Sequence, residues 1–197
     1  MPLAGAVLRF VRALNPHFIL APNRPSALPQ GTLEVPTRPL AAALGICIGM
    51  MLFGSLLGSL VGGEVNAERY RSLLQPELSA PTAVFLVVSV LYYPIFGTVL
   101  YRVLSHWEGT GEHRWILGLT LSTLAFNTSW NALVLDAGRP WVGFLGTAAL
   151  AALVLPLVLG LARRDRISSL LLVPYLLWVG FDLVWSWRLW QLNPGIR

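Results

Sequence analysis

The sequence predicts an all-α membrane protein, a five-transmembrane-helix up-down bundle with an N-terminal extension. Three observations carry that prediction. Hydrophobic residues make up 55% of the 197-residue chain and charged residues 12%, too few charges to coat a soluble globule of this length. Five apolar runs each approach the roughly 20 residues that cross a bilayer core as a helix. Short connections join the last four runs and force antiparallel neighbours, and no ten-residue alternating pattern suggests a barrel.

Residues 1–39 form the extension. Val7, Leu8, Phe10, Val11 and Leu14 fall near one helical face beside Arg9 and Arg12, which predicts a short interfacial helix. The stretch from Pro22 to Pro39 reads as an extended linker. Two arginines interrupt the early apolar run and no small-x-small site follows it, so it does not read as a cleaved signal; an Arg-bearing organelle transit segment is the alternative.

The transmembrane domain, 40–197, contains the spans Leu40–Val61, Ala83–Leu104, Trp115–Leu135, Trp141–Leu161 and Ile167–Trp190. Gly62–Thr82 is the longest connection. The net charge of +5 comes from 14 basic residues, all arginine, set in short juxtamembrane clusters and not on a nucleic-acid-binding face. Counting arginines near the span ends gives 7 on the N-terminal side against 5 on the other, which places the N-terminus in the cytoplasm. Cys47 is the one cysteine, so an intramolecular disulfide is excluded.

In the first span Gly45, Gly49, Gly54, Gly58 and Gly62 recur at near four-residue spacing. Such small residues let backbones approach closely, either within the bundle or in a homodimer.

The fifth span holds an acid, Asp182, at membrane depth. An ionisable group there costs roughly 2.5–3.5 kcal/mol on insertion scales and usually faces a bundle interior or a cavity. Counting at 1.5 Å per residue from the span ends puts Asn127 and Asp182 about 12 Å from the same interface, with Ser89 of the antiparallel second span at that level. Asn131 lies one turn from Asn127, Trp178 one turn from Asp182 and Tyr175 two turns. The expectation is a polar shelf in which Asn127 and Ser89 hydrogen-bond Asp182, inside a cavity lined by spans two, three and five and open toward Gly62–Thr82. The plainer alternative is that Asn127, Asn131 and Asp182 only hold helices together. Trp107, Trp115, Trp141, Trp187 and Trp190 fit an interfacial belt, whereas Trp130 and Trp178 fit the cavity. His106 and His113 with Glu108 and Glu112 have the loose spacing of a solvated loop and not of a metal site, and no glycine-rich phosphate loop occurs.

Residues 171–181, Leu-Leu-Val-Pro-Tyr-Leu-Leu-Trp-Val-Gly-Phe, ending in Leu192-Asn193, resemble the fifth helix of the translocator protein family, also called tryptophan-rich sensory proteins or peripheral benzodiazepine receptors. Residues 124–130, Leu-Ala-Phe-Asn-Thr-Ser-Trp, resemble its third helix. Tyr70, Leu73 and Pro76, then Pro81, Phe85, Tyr93 and Gly97, match its first loop and second helix, so the resemblance covers about residues 40–194. It implies a lipophilic cavity that binds tetrapyrroles such as protoporphyrin or haem and, in some members, sterols or synthetic aromatic ligands. It places Tyr70, Phe85, Tyr93, Trp130, Tyr175 and Trp178 at cavity positions. This chain departs from the family pattern where Ser89 replaces a tryptophan, Asp182 an alanine and Trp185-Ser186 a Leu-Asn pair. Light-dependent porphyrin degradation, attributed to some members, uses a cavity tryptophan pair of which only Trp178 persists.

The expected function is therefore an integral, multi-pass membrane binding protein for a hydrophobic ligand, most specifically a tetrapyrrole, acting as sensor, carrier or scavenger. The expected ligand-binding set is Tyr70, Phe85, Ser89, Tyr93, Asn127, Trp130, Tyr175, Trp178 and Asp182. No catalytic residue, metal or required cofactor is expected; porphyrin or haem enters as ligand. Expected partners are the membrane, a small molecule (a tetrapyrrole, otherwise a sterol or lipid) and a second copy of the chain, and no nucleic acid. Two alternatives stand beside this: an enzyme that degrades porphyrin with light or oxygen, Asp182 relaying protons and Trp178 acting as redox partner, and a ligand-free membrane scaffold. The membrane is expected to be bacterial, with an organelle membrane as the alternative.

Overall fold

The computed structural model describes residues 37–60, 68, 72–77, 80–106, 109–137 and 139–196. The expected N-terminal helix, the linker before residue 37, Tyr70 and the Asn131 side chain lie outside the described residues. Five helices follow in order: α1 Thr37–Leu60, α2 Thr82–Ser105, α3 Gly111–Ala137, α4 Pro140–Arg164 and α5 Arg166–Leu192. Every end falls within four residues of the expected span. Pro39 sits inside the first turn of α1 rather than in the linker, at a place where its missing N–H leaves no helical bond unmade.

Helices α1, α2, α4 and α5 are long and apolar enough to cross a membrane. The more polar α3 turns its Thr120, Thr123 and Thr128 into the protein, where all three are buried. There Thr120 and Thr123 donate to carbonyls one turn back, at 2.8 Å each, so the hydroxyls are satisfied without water. The chain is an integral, multi-pass membrane protein. Around the bundle the helices run α1, α2, α5, α4, α3 and back to α1, with α2 also touching α3.

One end of this bundle is buckled. Asp165, in the tight turn between α4 and α5, accepts from Ser168 N–H at the start of α5 and from Ser168 Oγ at 2.6 Å. Arg102, in the last turn of α2, donates to the same carboxylate through Nε at 2.7 Å and Nη2 at 2.8 Å. The guanidinium holds the Asp165 carboxyl well below the usual carboxylate range. An Arg164–Glu112 pair links α4 to the start of α3 at the same end.

The half of the bundle nearest this buckle is closely packed. Tyr92, Phe96, Val99, Leu100 and Val103 of α2 pack with Leu124 of α3, Val154 and Leu157 of α4, and Leu172, Tyr175 and Val179 of α5. Toward the other end, where residues 61–81 join α1 to α2, the packing opens. Val84, Leu86, Val87, Val90 and Leu91 of α2 are exposed, as are Met51, Leu52, Phe53, Leu56 and Leu60 of α1. Pro94 lies where α2 changes from exposed to packed and removes the helical hydrogen bond to Val90. Helices α4 and α5 stay together throughout, and Thr147 of α4 reaches Asp182 of α5 across their contact. Of the α1 glycines, Gly54 meets the Thr128 side chain, whereas Gly45, Gly49 and Gly58 face open space.

Candidate functional site

The open half is furnished mainly by α5. Trp178, Asp182 and Trp185 stand at i, i+4 and i+7 and so form one stripe along the helix. Phe85, from the first turn of α2, lies edge-on to Trp178 with ring centroids 5.0 Å apart and 6.1 Å from Trp185. Phe181 also packs on Trp178, with ring centroids 5.4 Å apart. A row of half-buried rings thus runs beside the carboxylate.

Helix α4 completes the arrangement through two adjacent residues. Thr147 Oγ1 lies 3.3 Å from Asp182 Oδ2 and 3.1 Å from the carbonyl of Gly143, so one hydroxyl hydrogen faces two acceptors. Gly146 supports Trp130 of α3: a Cβ at position 146 would fall 1.6 Å from Trp130 Cζ2, so only glycine admits the ring there. Trp130 also stacks on Phe126, with centroids 5.5 Å apart and planes 10° from parallel.

Beneath lies a packed aromatic floor. Tyr92, Phe96 and Tyr175 are buried and mutually in contact, with Tyr175 centroids 5.2 Å from Tyr92 and 5.3 Å from Phe96. Their hydroxyls are used inside the protein: Tyr175 Oη donates to Asn127 Oδ1 at 3.2 Å and Tyr92 Oη to the Thr123 carbonyl at 3.3 Å.

Of the expected ligand-binding residues, Phe85, Trp178 and Asp182 come together in the open half, while Trp130 sits against Gly146 of α4 and Phe126 of its own helix. Tyr175 and Asn127 form part of the floor. Tyr93 turns toward α3, with its hydroxyl 3.5 Å from Thr128 Oγ1. Ser89 is exposed and donates to the carbonyl of Phe85 in its own helix at 2.9 Å. The expected polar shelf is therefore corrected: Asp182 is bonded by Thr147, while Asn127 is bonded two turns of α5 deeper, at Tyr175. Depth counted from span ends failed because the ends do not share a plane. The first turn of α2 is level with Trp178, so α5 continues several turns beyond it. Sequence reasoning assigned no lining role to α4 and did not place Trp185; the small residues Gly143, Gly146 and Thr147 in an otherwise Leu/Val-rich helix were the available signal.

Where α5 projects, Asn193 holds the loop. Its Oδ1 accepts from Leu74 N–H at 3.0 Å, and its Nδ2 donates to the carbonyls of Leu74 at 3.0 Å and Leu189 at 2.8 Å. Leu73 and Pro76 are buried beside this clamp. An open depression of about 690 Å³ at the same end is lined by Trp141, Trp187, Trp190, Gln191 and Pro194, at the level where an aromatic belt meets the membrane surface. No cluster of His, Cys, Asp and Glu with metal-binding proximity occurs among the described residues. The open half therefore sets aromatic rings and one carboxylate side by side.

The model of the TspO/MBR family matches residues 43–191. Tryptophan-rich protein TspO of Chlorobaculum tepidum is 31% identical over 153 residues, covering 77% of this chain and 96% of that protein. Translocator protein 2 of Mus musculus is 35% identical over 115 residues, 56% of this chain and 70% of the relative. Translocator protein of Ovis aries is 28% identical over 132 residues, 65% of this chain and 76% of the relative.

Proposed function

The chain belongs to the TspO/MBR family, and on that premise we propose that it binds a flat hydrophobic ligand, a tetrapyrrole such as protoporphyrin or haem, and acts as a membrane sensor, carrier or scavenger. One observation carries this reading: Phe85, Trp178 and Trp185 form a continuous half-buried aromatic row in the loosely packed half of the bundle. A soluble catalyst would place nucleophile and base within hydrogen-bond reach; here the polar groups are few and the rings many, which suits binding by burial and stacking. The packed Tyr92–Phe96–Tyr175 floor limits how deep a ligand enters. The buckle at Arg102 and Asp165 fixes the closed end while the open end admits the ligand from the membrane or its surface.

The test is a titration of the detergent-solubilised full chain with protoporphyrin, followed by tryptophan emission. Binding quenches the emission. Stacking against an aromatic ring contributes about 0.5–1.5 kcal/mol beyond burial, so Trp178→Ala weakens binding several-fold. An unchanged affinity in that variant removes Trp178 from the site.

A further inference from the structure

Asp182 makes one side-chain hydrogen bond among the described residues, to the Thr147 hydroxyl. Its Oδ2 shares the single Thr147 hydrogen with the Gly143 carbonyl, and its Oδ1 has no hydrogen-bond partner among the described residues. No arginine reaches it; the ion pairs among the described residues, Arg102–Asp165 and Arg164–Glu112, lie at the buckled end. A carboxylate has about four acceptor positions, and leaving them empty away from water is costly. Intramembrane acids in that condition face cavities and take a partner there.

A second feature points to the same kind of partner. Trp178 and Trp185 flank Asp182 on its own stripe and Phe85 lies between their rings. The faces of aromatic rings, tryptophan most of all, attract cations. Carboxylate and rings together therefore favour positive charge carried on a flat frame.

We propose that the site selects ligands with a protonated nitrogen on a planar aromatic frame, the Asp182 carboxylate accepting the N–H while Trp178 and Trp185 hold the ring. This rests on the reading of the open half as a ligand site and adds the ligand's charge and orientation. For a tetrapyrrole it turns the ring nitrogens toward Asp182 and the carboxylate arms, which Asp182 repels, toward the membrane surface, where Arg139 and Arg188 are exposed.

The experiment uses the full chain in a non-ionic detergent and two probes of one shape: aminoacridine, a tricyclic cation at neutral pH, and methylanthracene, its uncharged counterpart. Wild type binds the cation about tenfold more tightly than the neutral probe, the scale of one charge-assisted hydrogen bond. Asp182→Asn removes that preference and leaves methylanthracene affinity within about twofold, while Asp182→Glu retains it. Equal affinity of wild type for the two probes, failure to bind either, or an equal loss for both in Asp182→Asn overturns the proposal. Protoporphyrin quenching, run alongside, separates the two levels: if it persists without charge selection, only this inference falls; if it is absent, the ligand site itself falls. Should Asp182→Asn not fold, the wild-type preference and its retention in Asp182→Glu decide.

Discussion

Gly146→Ala is a one-methyl perturbation whose sign the geometry determines. In an exposed helix the change stabilises by up to about 1 kcal/mol, since alanine is the better helix former. At position 146 the new Cβ would stand 1.6 Å from Trp130 Cζ2, 1.7 Å from Cε2 and 2.3 Å from Cη2, against the 3.5–4.0 Å or so of ordinary carbon contact. The indole must move by about 2 Å to restore that contact, and in doing so it leaves its stack on Phe126. Overpacking costs about 1–3 kcal/mol and the lost stacking about 0.5–1.5 kcal/mol. After the helix gain, the net loss is about 0.5–3.5 kcal/mol, which at about 2–4 °C per kcal/mol for a domain of this size lowers Tm by about 1–14 °C. The assay is thermal unfolding in detergent beside Gly118→Ala and Gly180→Ala, whose added methyls meet nothing within 4 Å and leave Tm unchanged or slightly raised. Trp130→Leu should reduce the cost of Gly146→Ala, which a double-mutant cycle measures. A Gly146→Ala Tm equal to that of the two controls would refute the seating of Trp130 on α4.

Asp165→Asn breaks the buckle and should lower stability by about 1–2 kcal/mol at neutral pH, since it removes charge-assisted bonds from Arg102. Because the folded pKa of Asp165 is depressed, its contribution is complete above the unfolded carboxylate value of about 3.9 and fades as pH falls below it; a Tm gap between variant and wild type that is the same at acidic and neutral pH would contradict this. Asn193→Ala leaves Leu74 without both its side-chain partners and should speed hydrogen exchange at the Leu74 amide about tenfold or more, with the α4–α5 core unaffected; unchanged exchange there would show that the loop is held by other means.

The number and limits of the helices were legible because apolar runs and short connections leave a membrane chain few arrangements. Even α3 was found, despite its threonines, since its flanks and position demand a crossing. Trp130 and Trp178 stood out in the sequence because both lie too deep for an interfacial belt, and both are half-buried in the bundle. The pairing of polar groups was not legible. A hydrogen bond depends on how far one helix slides along another, and α5 runs several turns past the start of α2, so Asp182 meets Thr147 and Asn127 meets Tyr175. Ser89 lies one turn from Phe85 on the same face, but it is exposed and its hydroxyl is spent on the Phe85 carbonyl of its own helix, a local bond that depth counting does not reveal. The role of Gly146 depends on the placement of a ring from a different helix, which hydropathy does not encode.

The central claim is that a flat ligand lies between α2, α3 and α5 in the open half of the bundle. An experimentally determined structure of the full chain with protoporphyrin bound tests it most directly. The macrocycle is expected against Trp178 and Phe85, above the Tyr92–Phe96–Tyr175 floor and within reach of Asp182. A macrocycle seated instead in the outer depression lined by Trp141, Trp187 and Trp190, with Trp178 and Phe85 still in contact with each other and untouched by ligand, would contradict it.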